Sequence, residues 1–398
     1  MTTCFADTPS KSGLQRLVLI GAGHAHAQVL LSLAQQPIDN LDIVVISPTT
    51  QAPYSGMMPA WLAGDHNWVD CCIDFNRLCQ RVGARLIDDS VTRIDLDAKM
   101  VLLESGMQVA YAWLSINIGS TLHAPAAASA APATGNPVRV VPVRVVPMRP
   151  LSALCEHWQI VLDDVERHPP DAGYQVVMVG GGAAGIESIL SVHHRLTTLK
   201  PRMAFRFTLA TQGQTLAPGL SSAAEKILQN HLHRRGIVVQ TGFSAKHISS
   251  DAVLDNGGRS IPADVVLWAT GAHAFGWPGS SGLAISADGF IRIDTQLRSI
   301  SHPEVFATGD CAAWEDPLPK AGVYAVRMGP VLAYNLRASI DHEPLAPYRP
   351  QRRYLVLLGT GDQHAVASWG PLGWQGAWVY AWKQRIDRRF LARYNQPQ

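Results

Sequence analysis

The 398-residue sequence is poor in charge: Asp, Glu, Lys and Arg make up 16% of it and leave a formal net charge of +2. That balance gives no electrostatic reason to expect nucleic acid as a partner. Cysteine is also scarce, with six residues and no CxxC pair. A disulfide scaffold is therefore excluded, and a reducing, cytoplasmic setting is the simpler expectation. Cys71 and Cys72 are adjacent, which marks buried packing more often than a redox couple. No run of about 18 apolar residues occurs, so no segment is expected to span a bilayer. The opening MTTCFADTPSKSG lacks the apolar stretch of a secretory signal. What the chain does have is apolar residues, 47% of its length, enough for two or three domains.

From Leu17 the sequence reads LVLIGAGHAHAQVLLSLAQQ, a short apolar strand, a glycine turn and then helical periodicity. Gly21 and Gly23 match the first two glycines of a dinucleotide fingerprint, which permit a tight turn and close approach of a pyrophosphate. The third position is His26, so the helix is expected to sit less closely on the strand. The next strand, LDIVVISP, ends at Ser47 where an acid would bind an adenosine ribose. His24 and His26 stand two apart and share no helix face, which argues against a metal pair. Tyr54–Pro59 (YSGMMP) is a turn-rich apolar loop ahead of a short helix, and residues 82–120 read as an antiparallel meander ending in LSINIGS.

Residues 123–150 are rich in Ala and Pro and read as a linker or lid; VRVVP occurs twice, at 138–142 and 143–147, and could form a strand pair, though it is too short for a structural repeat. A helix carrying Cys155 follows. QVVMVGGGAAGIESIL is the clearest motif: a β-branched strand runs into Gly180, Gly182 and Gly185 at fingerprint spacing and then into a helix. Its second strand (FRFTLATQGQTLAP) ends near Thr211-Gln212 without an acid, so NADPH stands open beside NADH, with Arg202 and Arg206 nearby in sequence. DVVLWATG gives one more buried strand. TQLRSISHPEVFATGD then places Gly309-Asp310 after a short apolar strand, at the crevice where open α/β sheets bind ligands.

Together these motifs resemble the two-dinucleotide-binding flavoproteins of glutathione-reductase-like fold, over nearly the whole chain from about Leu17 to Arg393. The resemblance is to type II NADH dehydrogenases and to the flavoprotein branch associated with selenide, water dikinase. It implies an α/β fold with two Rossmann-like domains: 14–122 and 272–338 for FAD, 151–271 for NAD(P)H, and a small C-terminal domain at 339–398. It implies that Asp310, after Gly309, holds the ribityl chain of FAD, that the Gly21–Gly23 turn with His24 meets the phosphates, and that Ser47 offers the ribose a hydroxyl. Gly180, Gly182 and Gly185 would carry the nicotinamide dinucleotide. Glu187 would lie between nicotinamide and flavin as the catalytic group; its plainer reading is a first-turn acid favoured by the helix dipole. The helix after Lys320-Ala321 would aim its N-terminus at the flavin.

The activity so implied is hydride transfer from NAD(P)H through FAD to a quinone-like acceptor. A sulfide or selenium-compound oxidoreductase and a flavin-binding accessory protein are the alternatives. No CxxxxC pair occurs after Tyr54, which removes dithiol chemistry of the disulfide-reductase kind. The stretch from Trp369 to Tyr394 interleaves Trp374, Trp378 and Trp382 with Lys383, Arg385, Arg388 and Arg389. It fits peripheral contact with the cytoplasmic face of a membrane, and equally a Trp-rich core or a homodimer interface.

Overall fold

A computed structural model of the chain describes residues 14–122, 125, 143–169, 171–351 and 353–395. Two five-stranded sheets organise it. The first has the order Val305–Ala307, Trp113–Ile116, Gln15–Ile20, Leu41–Ile46, Arg85–Ile87, all parallel. Parallel sheets are covered on both faces, which is why these strands are almost continuously apolar and Arg16–Ile20 is buried throughout. Helix His24–Gln35 packs along helix Gly322–Ile340. The approach is close at Gly329, where an added Cβ would lie 2.8 Å from the Gln28 side chain.

The second sheet has the order Arg144–Pro147, Val265–Trp268, Tyr174–Val179, Phe205–Ala210, Val238–Gln240, again all parallel. Its first strand corrects the expected linker. The second VRVVP copy pairs in parallel with Val265–Trp268 and so belongs to this sheet; the first copy, at 138–142, lies outside the described residues. Val146 is 2% exposed, enough burial to fix a short strand at the sheet edge.

The expected meander is also redistributed. Val91–Asp95, Met100–Leu103 and Gln108–Ala110 do form an antiparallel sheet. The segments on either side, Arg85–Ile87 and Trp113–Ile116, join the parallel sheet instead. The C-terminal region is an antiparallel sheet (Val356–Gly359, Ala365–Trp369, Leu372–Gly376) followed by the terminal helix Ala377–Asn395. The last turn of that helix is tied down: Asn395 Nδ2 donates to the Cys72 carbonyl at 2.7 Å, and the Asp74 amide donates to Asn395 Oδ1 at 3.1 Å. No described helix is long and apolar enough to cross a membrane.

Candidate active site

Three loops meet at the carboxyl edge of the first sheet: the turn after Ile20, the segment after Ile116 and the Gly309–Cys311 turn after Ala307. Asn117 joins them. Its Oδ1 accepts from the Ala25 amide at 3.1 Å and its Nδ2 donates to the Thr308 carbonyl at 2.8 Å. Gly21, at φ +96°, is required by that closeness, since a Cβ there would fall 2.5 Å from the Asn117 carbonyl oxygen.

His26 fills the third fingerprint position with a hydrogen-bonded bridge. It is fully buried, with Nδ1 2.7 Å from the Gly21 carbonyl and Nε2 2.8 Å from Ser115 Oγ. A carbonyl only accepts, so Nδ1 carries the proton and Nε2 accepts from the serine. Burial pushes the pKa down to about 4, against which the Gly21 bond acts weakly. The expected loss of helix–strand contact is therefore replaced by a polar tie.

His24 faces the other way, into the site. Its ring meets Tyr54 edge-on at 5.6 Å and lies 5.9 Å from Phe390, and Tyr54 stacks on Phe390 at 4.4 Å. Its Nε2 is buried without a hydrogen-bond partner. Burial lowers its pKa to about 4, opposed by the Asp310 carboxylate. Both histidines thus bind fewer protons folded than unfolded between about pH 4 and 6.5. Stability is expected to rise with pH across that window and to be lost as pH falls through it. Melting temperatures of wild type and His26→Gln against pH check this: the variant, less stable at neutral pH, should show a shallower acid limb.

Asp310 accepts from Arg149 Nη1 and, at 3.3 Å, from Ser120 Oγ. Lys320 does not point into this group: its Nζ donates to the Ala312 carbonyl at 2.6 Å and lies 3.7 Å over the Phe290 ring. Ala321 is the N-cap of helix Gly322–Ile340, with no side-chain cap, so first-turn amides are left for a ligand. Ser47 stands at the end of its strand as expected, yet it is buried and its hydroxyl accepts from the Thr49 amide at 3.3 Å.

At the second sheet, Gly180 has φ +131°, and a Cβ on Gly185 would collide with the Gly180 carbonyl. Around Gly182, by contrast, an added Cβ meets nothing within 4 Å, which leaves the backbone approachable. Glu187 lies on the following helix, Ala183–Leu199, beyond its first turn, so the simple dipole reading fails. It is 8% exposed and Oε1 accepts from the Gly359 amide at 2.6 Å. Burial pushes its pKa up to about 7, with Lys383 and the Gly359 amide opposing.

Lys383, from the terminal helix, reaches the same place. Its Nζ is 2.8 Å from Asp387 Oδ2 and donates to the Gly56 carbonyl. Desolvation alone would lower the Lys383 pKa; the Glu187 and Asp387 carboxylates outweigh it and raise the value above that of a free lysine. Glu187, Ser191, Tyr380, Lys383 and Gln384 line a cavity of about 10 Å³, and the buried Ser191 hydroxyl there has no hydrogen-bond partner among the described residues.

Asn117 and Arg149 were not singled out from sequence, nor was Asp387, while Lys383 reads as one of the basic residues beside the tryptophans and is instead buried. A signal existed for the last two. Val379, Lys383, Asp387, Phe390 and Tyr394 share one helical stripe, so the two charges fall in register with apolar neighbours.

The family described as pyridine nucleotide-disulphide oxidoreductase matches residues 15–329. A NADH dehydrogenase-like protein of Mycobacterium tuberculosis is 26% identical, over 94% of this chain and 94% of its own. The alternative NAD(P)H-ubiquinone oxidoreductase C1 of Arabidopsis thaliana is 24% identical, over 90% of this chain and 75% of its own. The sulfide:quinone oxidoreductase of Aquifex aeolicus superposes with a TM-score of 0.76 at 18% identity, covering 96% of this chain and 92% of its own. At that identity the likeness is one of fold.

Proposed function

The chain belongs to the pyridine nucleotide-disulphide oxidoreductase family, an FAD- and NAD(P)H-dependent oxidoreductase of NADH dehydrogenase type, and from that premise we propose a quinone-like acceptor reduced beneath the terminal helix. The observation that carries the reading is the buried Glu187–Lys383–Asp387 group, which stands between the nucleotide helix of the second sheet and the Tyr54–Pro59 loop of the first. FAD supplies the two-electron relay when bound. The Gly21–Gly23 turn, His24, Asp310 and the amides at Ala321–Gly322 would hold it, and the unpartnered His24 Nε2 fits a polar ligand. Gly180, Gly182 and Gly185 would cradle the pyrophosphate of NAD(P)H. Glu187, with a pKa of about 7, holds or releases a proton near neutrality, as reduction of a quinone to a quinol requires.

The test is anaerobic mixing of the flavin-loaded protein with NADH and then NADPH, followed by a soluble quinone. Bleaching by either nucleotide and reoxidation by quinone support the reading; no bleaching favours the accessory role. The cysteine-dependent sulfide or selenium reading finds no activated thiol among the described residues. Burial pushes Cys71, Cys72 and Cys79 up to about 12, Cys311 up to about 11, and Cys155 upward as well.

Nicotinamide preference follows from strand direction. Arg206 pairs with Gln175 at the amino end of its strand, and Arg202 precedes it, whereas the ribose site lies at the other end beyond Ala210. Four residues of strand separate them, roughly 13 Å. Neither arginine serves a 2′-phosphate, and no acid at Thr211–Gln214 repels one. Comparable use of NADH and NADPH is expected. Gln212→Asp should cut kcat/KM for NADPH by ~10- to 100-fold and leave NADH nearly unchanged, since like charges brought together cost several kcal/mol.

Trp378 and Trp382 favour a lipid surface, whereas Trp374 packs against the core of Ala365, Ala367 and Val379. Trp378, Trp382 and Ile386 are 60%, 37% and 42% exposed along one face of the terminal helix. Arg385, Arg388, Arg389 and Arg393 are exposed beside them, a pattern suited to the headgroup region of an anionic bilayer. The protein should co-sediment with anionic vesicles and not with neutral ones. Trp378→Ser with Trp382→Ser should weaken that binding by ~10-fold or more, from two lost interfacial rings. Unchanged binding, with a dimer in sedimentation, would return the face to a homodimer.

A further inference from the structure

Val356–Gly359 is an edge strand of the C-terminal sheet, and the outward amides of an edge strand need partners from outside the sheet. The Gly359 amide finds one in Glu187 Oε1, at 2.6 Å, so the end of this strand helps to place the carboxylate. Arg235, the C-cap of helix Ser222–Arg234, reaches the turn that follows. Its Nη2 donates to the Thr360 carbonyl at 3.1 Å and lies 2.7 Å from Asp362 Oδ2. Asp362 Oδ1 in turn accepts from Thr360 Oγ1 at 2.5 Å. The turn also rests on the helix that carries Glu187: at Gly361, φ +82°, an added Cβ would fall 2.7 Å from the Leu190 carbonyl oxygen. We propose that Arg235 is a positioning residue for Glu187, fixing the turn at 359–364 so that the Gly359 amide stays on the carboxylate. The proposal rests on reading Glu187 as the group that holds and releases a proton in acceptor reduction.

The route is mechanical rather than through space. The charges bearing on Glu187 are Lys383 and Asp387 of the terminal helix, with Tyr380 and Asp65 facing the same cavity; Arg235 is not among them. Arg235 is engaged where it stands. Its Nη1 lies 2.9 Å from His231 Nδ1, its side chain is 14% exposed, and Thr360 is fully buried. The titratable groups around it are His231 on its own helix, His193 on the nucleotide helix, and Asp362 with His364 in the turn. Burial lowers the pKa of both His193 (to about 4) and His231, so neither adds a cation near neutrality, and Asp362 is the charge that Arg235 matches. A hydrogen bond to the ionised form holds a carboxyl's pKa down, so loosening the turn moves Glu187 upward.

The experiment follows the protonated-carboxyl infrared band of Glu187, assigned by its loss in Glu187→Gln, as the flavin-loaded protein is titrated through neutrality. The wild-type midpoint is expected at about 7. Arg235→Gln should raise it by ~0.5–1 pH unit and Arg235→Lys by less, since a loosened amide forfeits part of a bond to a charged group. Asp362→Ala separates the two routes by sign. Through space, removing an anion lowers the midpoint; through the turn, which loses its ties to Arg235 and Thr360, the midpoint rises. A rise in both variants supports the proposal. An unmoved midpoint in Arg235→Gln, even with a lower melting temperature, overturns it, and so does an unmoved or lower midpoint in Asp362→Ala. If Arg235→Gln does not fold, Arg235→Lys and Asp362→Ala decide by the same comparison. Failure of the underlying reading looks different: Glu187→Gln would then pass electrons from reduced flavin to quinone at the wild-type rate, while the midpoint shifts persist.

Discussion

Asp310→Ala is expected to purify nearly colourless, with FAD affinity reduced ~10- to 100-fold. A hydrogen bond to a charged acceptor contributes about 1.5–3 kcal/mol, and the carboxylate also fixes the orientation of the Arg149 guanidinium in this crevice. Asp310→Asn keeps the size and one acceptor and should lose less. The measurements are the flavin-to-protein absorbance ratio and the dissociation constant of the refilled apoprotein. Normal flavin occupancy in Asp310→Ala would move the ribityl site away from the Gly309–Cys311 turn. Circular dichroism controls for folding, since the turn itself is held by backbone and by Asn117.

Lys383→Met is expected to be the most destabilising single change at this site, by ~3–5 kcal/mol, because it leaves two carboxylates buried without their cation. Glu187 then loses the charge that holds its pKa down to about 7, and the carboxyl moves higher still. A carboxyl raised above its unfolded value of 4.5 binds more protons folded than unfolded between the two pKa values. Its contribution is therefore present in acid and lost as pH rises, between about pH 4.5 and 7 in the wild type and over a wider range in Lys383→Met. Thermal melts at pH 5 and pH 8 test the sign, and the variant should fall further behind wild type at pH 8. Adding Glu187→Gln should recover part of the loss, because the amide needs no cation; strict additivity of the two changes would mean the groups do not interact. The window runs opposite to that of His24 and His26, so the variants, rather than the wild-type curve, separate the contributions.

The parts of this architecture legible in sequence are those encoded locally. Gly180, Gly182 and Gly185 and the strand before them lie within a dozen residues, and each obeys a rule of turn geometry or apolar patterning. Gly309-Asp310 is readable for the same reason. Contacts made across the chain are not local: Arg149 meets Asp310 over 161 positions, and Asn117 meets Thr308 over 191. His26 shows a different limit. The sequence reports the missing glycine, while only the fold shows Gly21 and Ser115 supplying an acceptor and a donor for an imidazole. Arg202 and Arg206 show a third, because nearness in sequence says nothing about which end of a strand a charge occupies. The β-branched residues of VRVVP already suited a strand, but its partner, Val265–Trp268, lies more than a hundred residues away and could not be read from the repeat itself.

The terminal helix has a thermodynamic consequence. Phe390 packs on Tyr54 and His24 at the first sheet, while Lys383 shares a buried group with Glu187 from the second. A single rigid element is thus a member of both cores, and neither core can be exposed without releasing it. Two domains joined only by a linker would melt as two independent units. Here the last nineteen helical residues couple them, so heat should take the molecule apart in one cooperative step rather than in halves.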